Sequence, residues 1–250
     1  MGEQFKKKHI SAGLLAHVDA GKTTLSEALL YVSGARRTLG RVDHRDAFLD
    51  THSLERARGI TIFSKQAILE TEDMEITLLD TPGHADFSGE MERALQVLDY
   101  AILVISGTDG VQAHTETIWN CLENYHVPSV IFVNKMDISF RSQEELADLQ
   151  ERLSEGCLCL DNRDDEALSM LDEGVLDRYM EQGTVTDGDI AALIQKRKLF
   201  PCFFGSGLKL DGVEEFLSAF DRLTIQDEAD KDFSARVFKI ARDSQGKRLT

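Results

Sequence analysis

Along the chain, continuous apolar runs alternate with segments whose apolar residues recur every three or four positions. Strands buried on both faces, interleaved with amphipathic helices, give that pattern. It predicts an α/β fold with a mostly parallel central sheet and helices on both faces. Lys8 to Ala16 reads as the first strand. Leu25, Ala28, Leu29 and Val32 mark a helix that Gly34 closes as its C′ residue. Residues 35 to 60 are charged and lack a period, so they read as a loop. Ile62 to Leu69 and Glu75 to Leu79 read as strands joined by the polar turn Thr71-Glu72-Asp73. A helix follows, with Phe87, Met91, Ala94, Leu95 and Leu98 on one face. Ala101 to Ile105 reads as a buried central strand. Ile118, Cys121, Leu122 and Tyr125 mark the next helix, and Val130 to Val133 the next buried strand. Leu146, Leu149 and Leu153 predict a helix early in the stretch from 141 to about 199. Phe203 and Phe204 suggest a last strand; Val213, Phe216, Leu217 and Phe220 suggest a last helix.

A first domain over 1–222 is thus expected to end near Arg222. Residues 223–232 are polar and acidic and read as a linker. Phe233 to Ile240 reads as a new strand, followed by a turn at Asp243-Ser244-Gln245-Gly246, and the chain stops at Thr250. A lone hairpin is at best marginally stable. Residues 233–250 are therefore expected to be the truncated start of a β-rich second domain.

Charge and composition narrow the picture. The 250 residues suffice for one full core and part of another. A formal net charge of −16 argues against a broad nucleic-acid-binding surface. From Arg141 to Gln195 there are fifteen Asp and Glu against four Lys and Arg. This acidic insert, about 141–199, reads as a solvated, solubilising segment, with a docking face for a basic partner as the second reading. Of the four cysteines, Cys157 and Cys159 have one residue between them, and Cys121 and Cys202 stand alone. They read as reduced thiols, mostly in the core, with a zinc site as the weaker reading. No apolar run approaches the ~20 residues of a membrane span. Met1 to Lys6 has no secretory h-region, and Lys6 sits where a myristoylation pattern needs Ser or Thr. A cytoplasmic protein, monomeric and away from membranes, is expected.

The chemistry-bearing residues follow strands. Ala16-His17-Val18-Asp19-Ala20-Gly21-Lys22-Thr23-Thr24 lies between the first strand and first helix. In that context backbone N–H groups wrap phosphates at a helix N-terminus. Lys22 would reach the β- and γ-phosphates, and the Thr23 hydroxyl would ligate Mg²⁺. Gly21 allows close backbone approach. Ala16 stands where the strict pattern has its first Gly, so that backbone should not need positive φ. Alone, this loop also reads as an ordinary strand-to-helix turn. Asp80-Thr81-Pro82-Gly83-His84 follows another strand. There Asp80 would hold Mg²⁺ through its water shell, and Gly83 would offer its N–H to the γ-phosphate. Taken alone, the segment is a solvent-facing turn. Thr61 ends the long loop, where it could close on the metal; it reads equally as a β-branched strand starter.

Asn134-Lys135-Met136-Asp137 follows the buried strand Val130 to Val133, at the end where parallel sheets bind ligands. A carboxylate at Asp137 can accept from guanine N1–H and the N2 amine, a donor pair adenine lacks. The Lys135 stem can lie along the base. After the last strand, Gly205-Ser206-Gly207 can present a backbone N–H to guanine O6. The substrate and product implied are GTP and GDP.

Together these segments, with Glu55-Arg56-Ala57-Arg58-Gly59-Ile60-Thr61, resemble the translational GTPases of the elongation factor G branch. The opening Leu14 to Lys22 and the modest insert after Asp137 look most like the tetracycline-resistance ribosomal protection proteins. Gly207 stands where that family usually has Ala. The resemblance implies a P-loop NTPase G domain followed by a β-barrel domain, a ribosome partner, and His84 as the residue that orients the attacking water. His84, with an ordinary pKa near 6.5, should be protonated beside phosphates. That suits an orienting and electrostatic role, and a solvent-facing position in the isolated protein. No arginine is an evident finger in cis; Arg56 and Arg58 read as solvated. A translocase, a release-factor-3-like GTPase and a nucleotide-gated binding module with little hydrolysis remain alternatives.

Overall fold

The computed structural model describes residues 7–39, 65–81, 88–139, 141–161, 163–226, 237, 240–242 and 248–249. The strands are β1 (Lys8–Ala16), β2 (Lys65–Glu70), β3 (Met74–Asp80), β4 (Tyr100–Ser106), β5 (Ser129–Asn134), β6 (Cys157–Cys159) and β7 (Phe200–Phe204). They form one seven-stranded sheet in the order β2-β3-β1-β4-β5-β7-β6. Every neighbouring pair is parallel except β2 with β3, which form a hairpin about the expected polar turn.

Alternation sorts the side chains onto the two faces. Ile102 and Val104 of β4 and Val130 and Phe132 of β5 enter one core. Ala101, Leu103, Ile105, Ile131 and Val133 enter the other. The helices are α1 (Lys22–Val32), α2 (Ser88–Leu95), α3 (Ala113–Asn124), α4 (Ser142–Arg152), α5 (Asp165–Ser169), α6 (Glu173–Gln182), α7 (Asp187–Gln195) and α8 (Val213–Leu223). Residues of α1, α5, α6, α7 and α8 join the first core. Residues of α2, α3 and α4 join the second, where Trp119 packs edge-on against Phe200. Gly34 follows α1 with φ 75°, as its C′ role requires.

The acidic stretch departs from its solvated reading. Its described residues hold four helices and the edge strand β6, where the sequence predicts at least one helix. Leu168, Val175, Val185, Ile190, Leu193 and Ile194 are no more than 2% exposed. Many of its carboxylates cap and stitch these short helices. Asp164 accepts from the Ala167 N–H, and Asp172 from those of Gly174 and Val175. Thr186 and Asp189 form a capping box at α7. Arg163 bridges Asp165 and Asp187. Lys198 and Lys196 both reach Asp172, and their hydrogen bonds hold its carboxyl far below the usual range. The charge therefore stabilises helix starts where the sequence offers few residues per helix.

All four cysteines are free thiols, with Cys157 and Cys202 buried and Cys121 and Cys159 half-buried. The chain stays on the sheet beyond α8. The Tyr100 hydroxyl donates to the Ile225 carbonyl and accepts the Ile225 N–H. The strand expected over Phe233 to Ile240 lies largely outside the described residues, though Val237 and Ile240 are exposed and not in a strand. Two residues of β8 (Ala241–Arg242) pair antiparallel with β9 (Arg248–Leu249), flanking the expected turn. Among the described residues no helix is long and apolar enough to cross a membrane.

Leu193→Ala tests whether the acidic stretch is core. Urea unfolding should show a loss of about 2–5 kcal/mol. An unchanged midpoint would return the stretch to a solvated role.

Candidate nucleotide site

The segments singled out in the sequence sit at the C-terminal ends of β1, β3, β5 and β7, on one edge of the sheet. β1 ends at Ala16, whose side chain is buried and whose backbone is not left-handed. The loop then turns through Asp19 at φ 64° and Gly21 at φ 87°. Gly21 is the N-cap of α1 and supplies no side-chain cap, and no carboxylate lies in the first turn. The helix start is thus open to an anion. Ala20 is buried, Thr23 and Thr24 are half-buried, and Val18 and Asp19 are exposed.

Lys22 and Asp80 meet as a buried ion pair, 7% and 0% exposed. β1 and β3 align Leu14 with Asp80, which brings the C-terminal ends of the two strands together. Thr81 is also fully buried; its hydroxyl donates to the Leu14 carbonyl at 2.7 Å, so its side chain anchors the start of this loop. Pro82, Gly83, His84 and Thr61 lie outside the described residues, as do Arg56 and Arg58.

Asn134 joins the two halves of the site. Its Nδ2 donates to the Ala20 carbonyl at 3.0 Å and to the Gly21 carbonyl at 3.3 Å. Its Oδ1 accepts the Gly207 N–H at 2.9 Å. Only this orientation of the amide matches donors to acceptors. The residue is 2% exposed, so water is not a ready substitute. Two glycines make room. A Cβ on Gly21 would stand 2.3 Å from Asn134 Nδ2, and one on Gly207 would stand 3.1 Å from the Leu25 Cα. Gly207, where the resembled family usually has Ala, thus lies close against the start of α1.

The base loop is held by a second tie, from the Met136 N–H to the Gly205 carbonyl at 3.0 Å. Lys135 takes φ 64°, and its carbonyl accepts from both Ile138 and Ser139. Asp137 is half-buried at the rim. The triplet Gly205-Ser206-Gly207 differs from expectation in one respect: all its N–H groups have partners. Gly205 donates to Val133, Ser206 to Asp211, and Gly207 to Asn134. A ligand oxygen there would have to displace Asn134 from Gly207 or use the next amide, Leu208.

His17 is half-buried, within the electrostatic reach of Asp109 and Lys135. Burial pushes its imidazole below the ordinary value, against the raising effect of the Asp109 carboxylate. Its Nε2 is buried and has no hydrogen-bond partner among the described residues. Sequence reasoning missed the bridging geometry of Asn134 and the approach of Asp109. Both depend on loops far apart in the chain, and a bare Asp-Gly turn at 109–110 carries no signal of its target.

The fold and the site define a P-loop nucleotide-binding domain. The family described as the elongation factor Tu GTP-binding domain matches residues 7–226. The chain belongs to that family, and is a GTP-binding domain of the translational GTPase type. It is 36% identical to the tetracycline resistance protein TetP of Clostridium perfringens, over 97% of this chain and 42% of that protein. It is 34% identical to an oxytetracycline resistance protein of Streptomyces rimosus, over 95% of this chain and 41% of that one. The TetO protein of Campylobacter jejuni is also 34% identical, over 93% and 40%. The chain thus spans about two fifths of these relatives. A crystal structure of a Thermus thermophilus protein superposes with a TM-score of 0.81 at 26% identity, covering 88% of this chain and 40% of that one.

Asn134→Ala leaves the buried Gly207 N–H and the two P-loop carbonyls without their side-chain partner. Unfolding free energy should fall by about 1–3 kcal/mol. GDP affinity, measured by calorimetry, should fall at least about tenfold.

Proposed function

We propose that this chain is the GTP-hydrolysing domain of a ribosome-stimulated GTPase of the ribosomal-protection, tetracycline-resistance type. One observation carries the reading: Asn134 ties a P-loop to a base loop of guanine-reading composition, in a chain similar to named tetracycline resistance proteins.

In this reading the amides from Ala16 to Thr24 wrap the phosphates, and Lys22 exchanges Asp80 for the β- and γ-phosphates. The Asp80 carboxylate is fully buried and needs a cation beside it. With the Thr23 hydroxyl it would supply hard-oxygen donors that suit Mg²⁺, Asp80 acting through the ion's water shell. Thr23 and Asp80, joined by Thr61, would hold the ion, which supplies charge to the phosphates. Gly83 gives its N–H to the γ-phosphate, with Thr81 anchoring and Pro82 shaping its loop. His84 orients the attacking water and stabilises charge rather than acting as a base. At the other end Asp137 accepts from guanine, Lys135 lies along the base, Met136 fixes the loop, and Ser206 and Gly207 border O6.

No arginine is assigned to the transition state within the chain, so the ribosome completes the site. Residues 233–250 then begin a second, β-rich domain after a linker that starts beyond Ile225 rather than at 223, since Leu223 ends α8 and Ile225 is bonded to Tyr100; the protein works as a monomer in the cytoplasm.

Asp137→Asn should weaken GDP binding by at least about a hundredfold and transfer preference to xanthine nucleotides. Fluorescent-nucleotide competition reads this directly; unchanged GDP affinity without a gain for xanthosine diphosphate would remove Asp137 from the base. The intact protein should hydrolyse GTP slowly alone and many-fold faster with ribosomes. Turnover that ribosomes leave unchanged would contradict the ribosome-dependent mechanism.

A further inference from the structure

We propose that Asp109 is a positioning residue for the base end of the site: its carboxylate draws the Lys135 ammonium and so holds the lysine stem where the base lies. The proposal rests on the reading of Asn134 to Asp137 as the base loop.

Asp109 belongs to the loop between β4 and α3, not to any segment assigned above. That loop is well fixed. The Asp109 and Gly110 N–H groups both donate to the Ser106 carbonyl, at 3.1 and 2.8 Å. Gln112 Nε2 donates to the Asp109 carbonyl. The Gly107 N–H donates to the Asn134 carbonyl at 2.8 Å, which ties the loop to the base loop itself. A carboxylate is thereby carried on a rigid support to within 4.0 Å of Lys135 Nζ.

Lys135 needs such a restraint. Its backbone is set by φ 64° and by two hydrogen bonds to its carbonyl. Among the described residues its ammonium has no ion pair besides Asp109, and an unrestrained lysine stem samples many rotamers. His17 lies within the field of both groups, and its burial disfavours the imidazolium that would repel Lys135. The pair is partly exposed, 29% at Lys135 and 45% at Asp109, so its attraction is modest and screened by salt.

Release of fluorescent GDP from the full chain tests this. Asp109→Asn is isosteric and leaves the backbone bonds in place. It should speed release about threefold at low salt, with the difference from the native protein shrinking as salt rises. Asp109→Glu, which keeps the charge, should restore most of the slow release. On a Lys135→Met background, Asp109→Asn should add nothing. Native-like release from Asp109→Asn, beside fast release from Lys135→Met, would overturn the positioning role and leave the base loop standing. A full additive effect of Asp109→Asn on the Lys135→Met background would overturn it equally. Native-like release from Lys135→Met would instead overturn the base-loop reading, and this proposal with it.

Discussion

The site depends on one buried carboxamide. Asn134 ends β5, yet its side chain reaches the P-loop on one side and the loop after β7 on the other. Two stretches far apart in the chain, at Gly21 and Gly207, are thereby held in one arrangement. An aspartate there would set a carboxylate oxygen against two carbonyls, and a leucine would leave the Ala20 carbonyl and the Gly207 N–H unpaired in a dry place, the Gly21 carbonyl keeping its bond from the Leu25 N–H. The glycine at the first contact follows from the same constraint, since a Cβ on Gly21 would stand 2.3 Å from the Asn134 amide nitrogen.

Around that joint the chain keeps its charges apart by role. At the phosphate end a lysine and an aspartate neutralise one another inside the protein. The start of α1 is left without a cap or a carboxylate, while α5, α6 and α7 begin under Asp or Thr caps. Net acidity of −16 is compatible with a site for a polyanionic ligand, because the first turn of α1 holds no carboxylate while those of α4 to α8 do.

Most of the scaffold was legible in the sequence for a physical reason. Strands such as Ala101 to Ile105 are buried on both faces and read as unbroken apolar runs, and the phosphate and base motifs follow strands directly. The region after Arg141 was harder. Helices of five to eleven residues bury only a few apolar side chains each, and the Asp residues that start them look like a solvated face. The three-residue strand β6 joins the sheet through its neighbour rather than by its own pattern. The triplet Gly205-Ser206-Gly207 reads as able to present a backbone N–H, yet each of its amides is engaged by a partner distant in sequence or across the turn. The assignments of Thr61 and His84 rest on sequence and resemblance, since both lie outside the described residues.

Binding and base selection belong to one rigid assembly in this account, with the P-loop supplying affinity for phosphates and Asp137 the choice of base. The most direct test is competition against fluorescent GDP on the unmodified 250-residue chain by GDP, ADP and xanthosine diphosphate in the presence of Mg²⁺. The account predicts displacement by GDP at concentrations where ADP and xanthosine diphosphate have no effect. Equal displacement by ADP would contradict it, leaving a phosphate-binding loop without a base-reading partner.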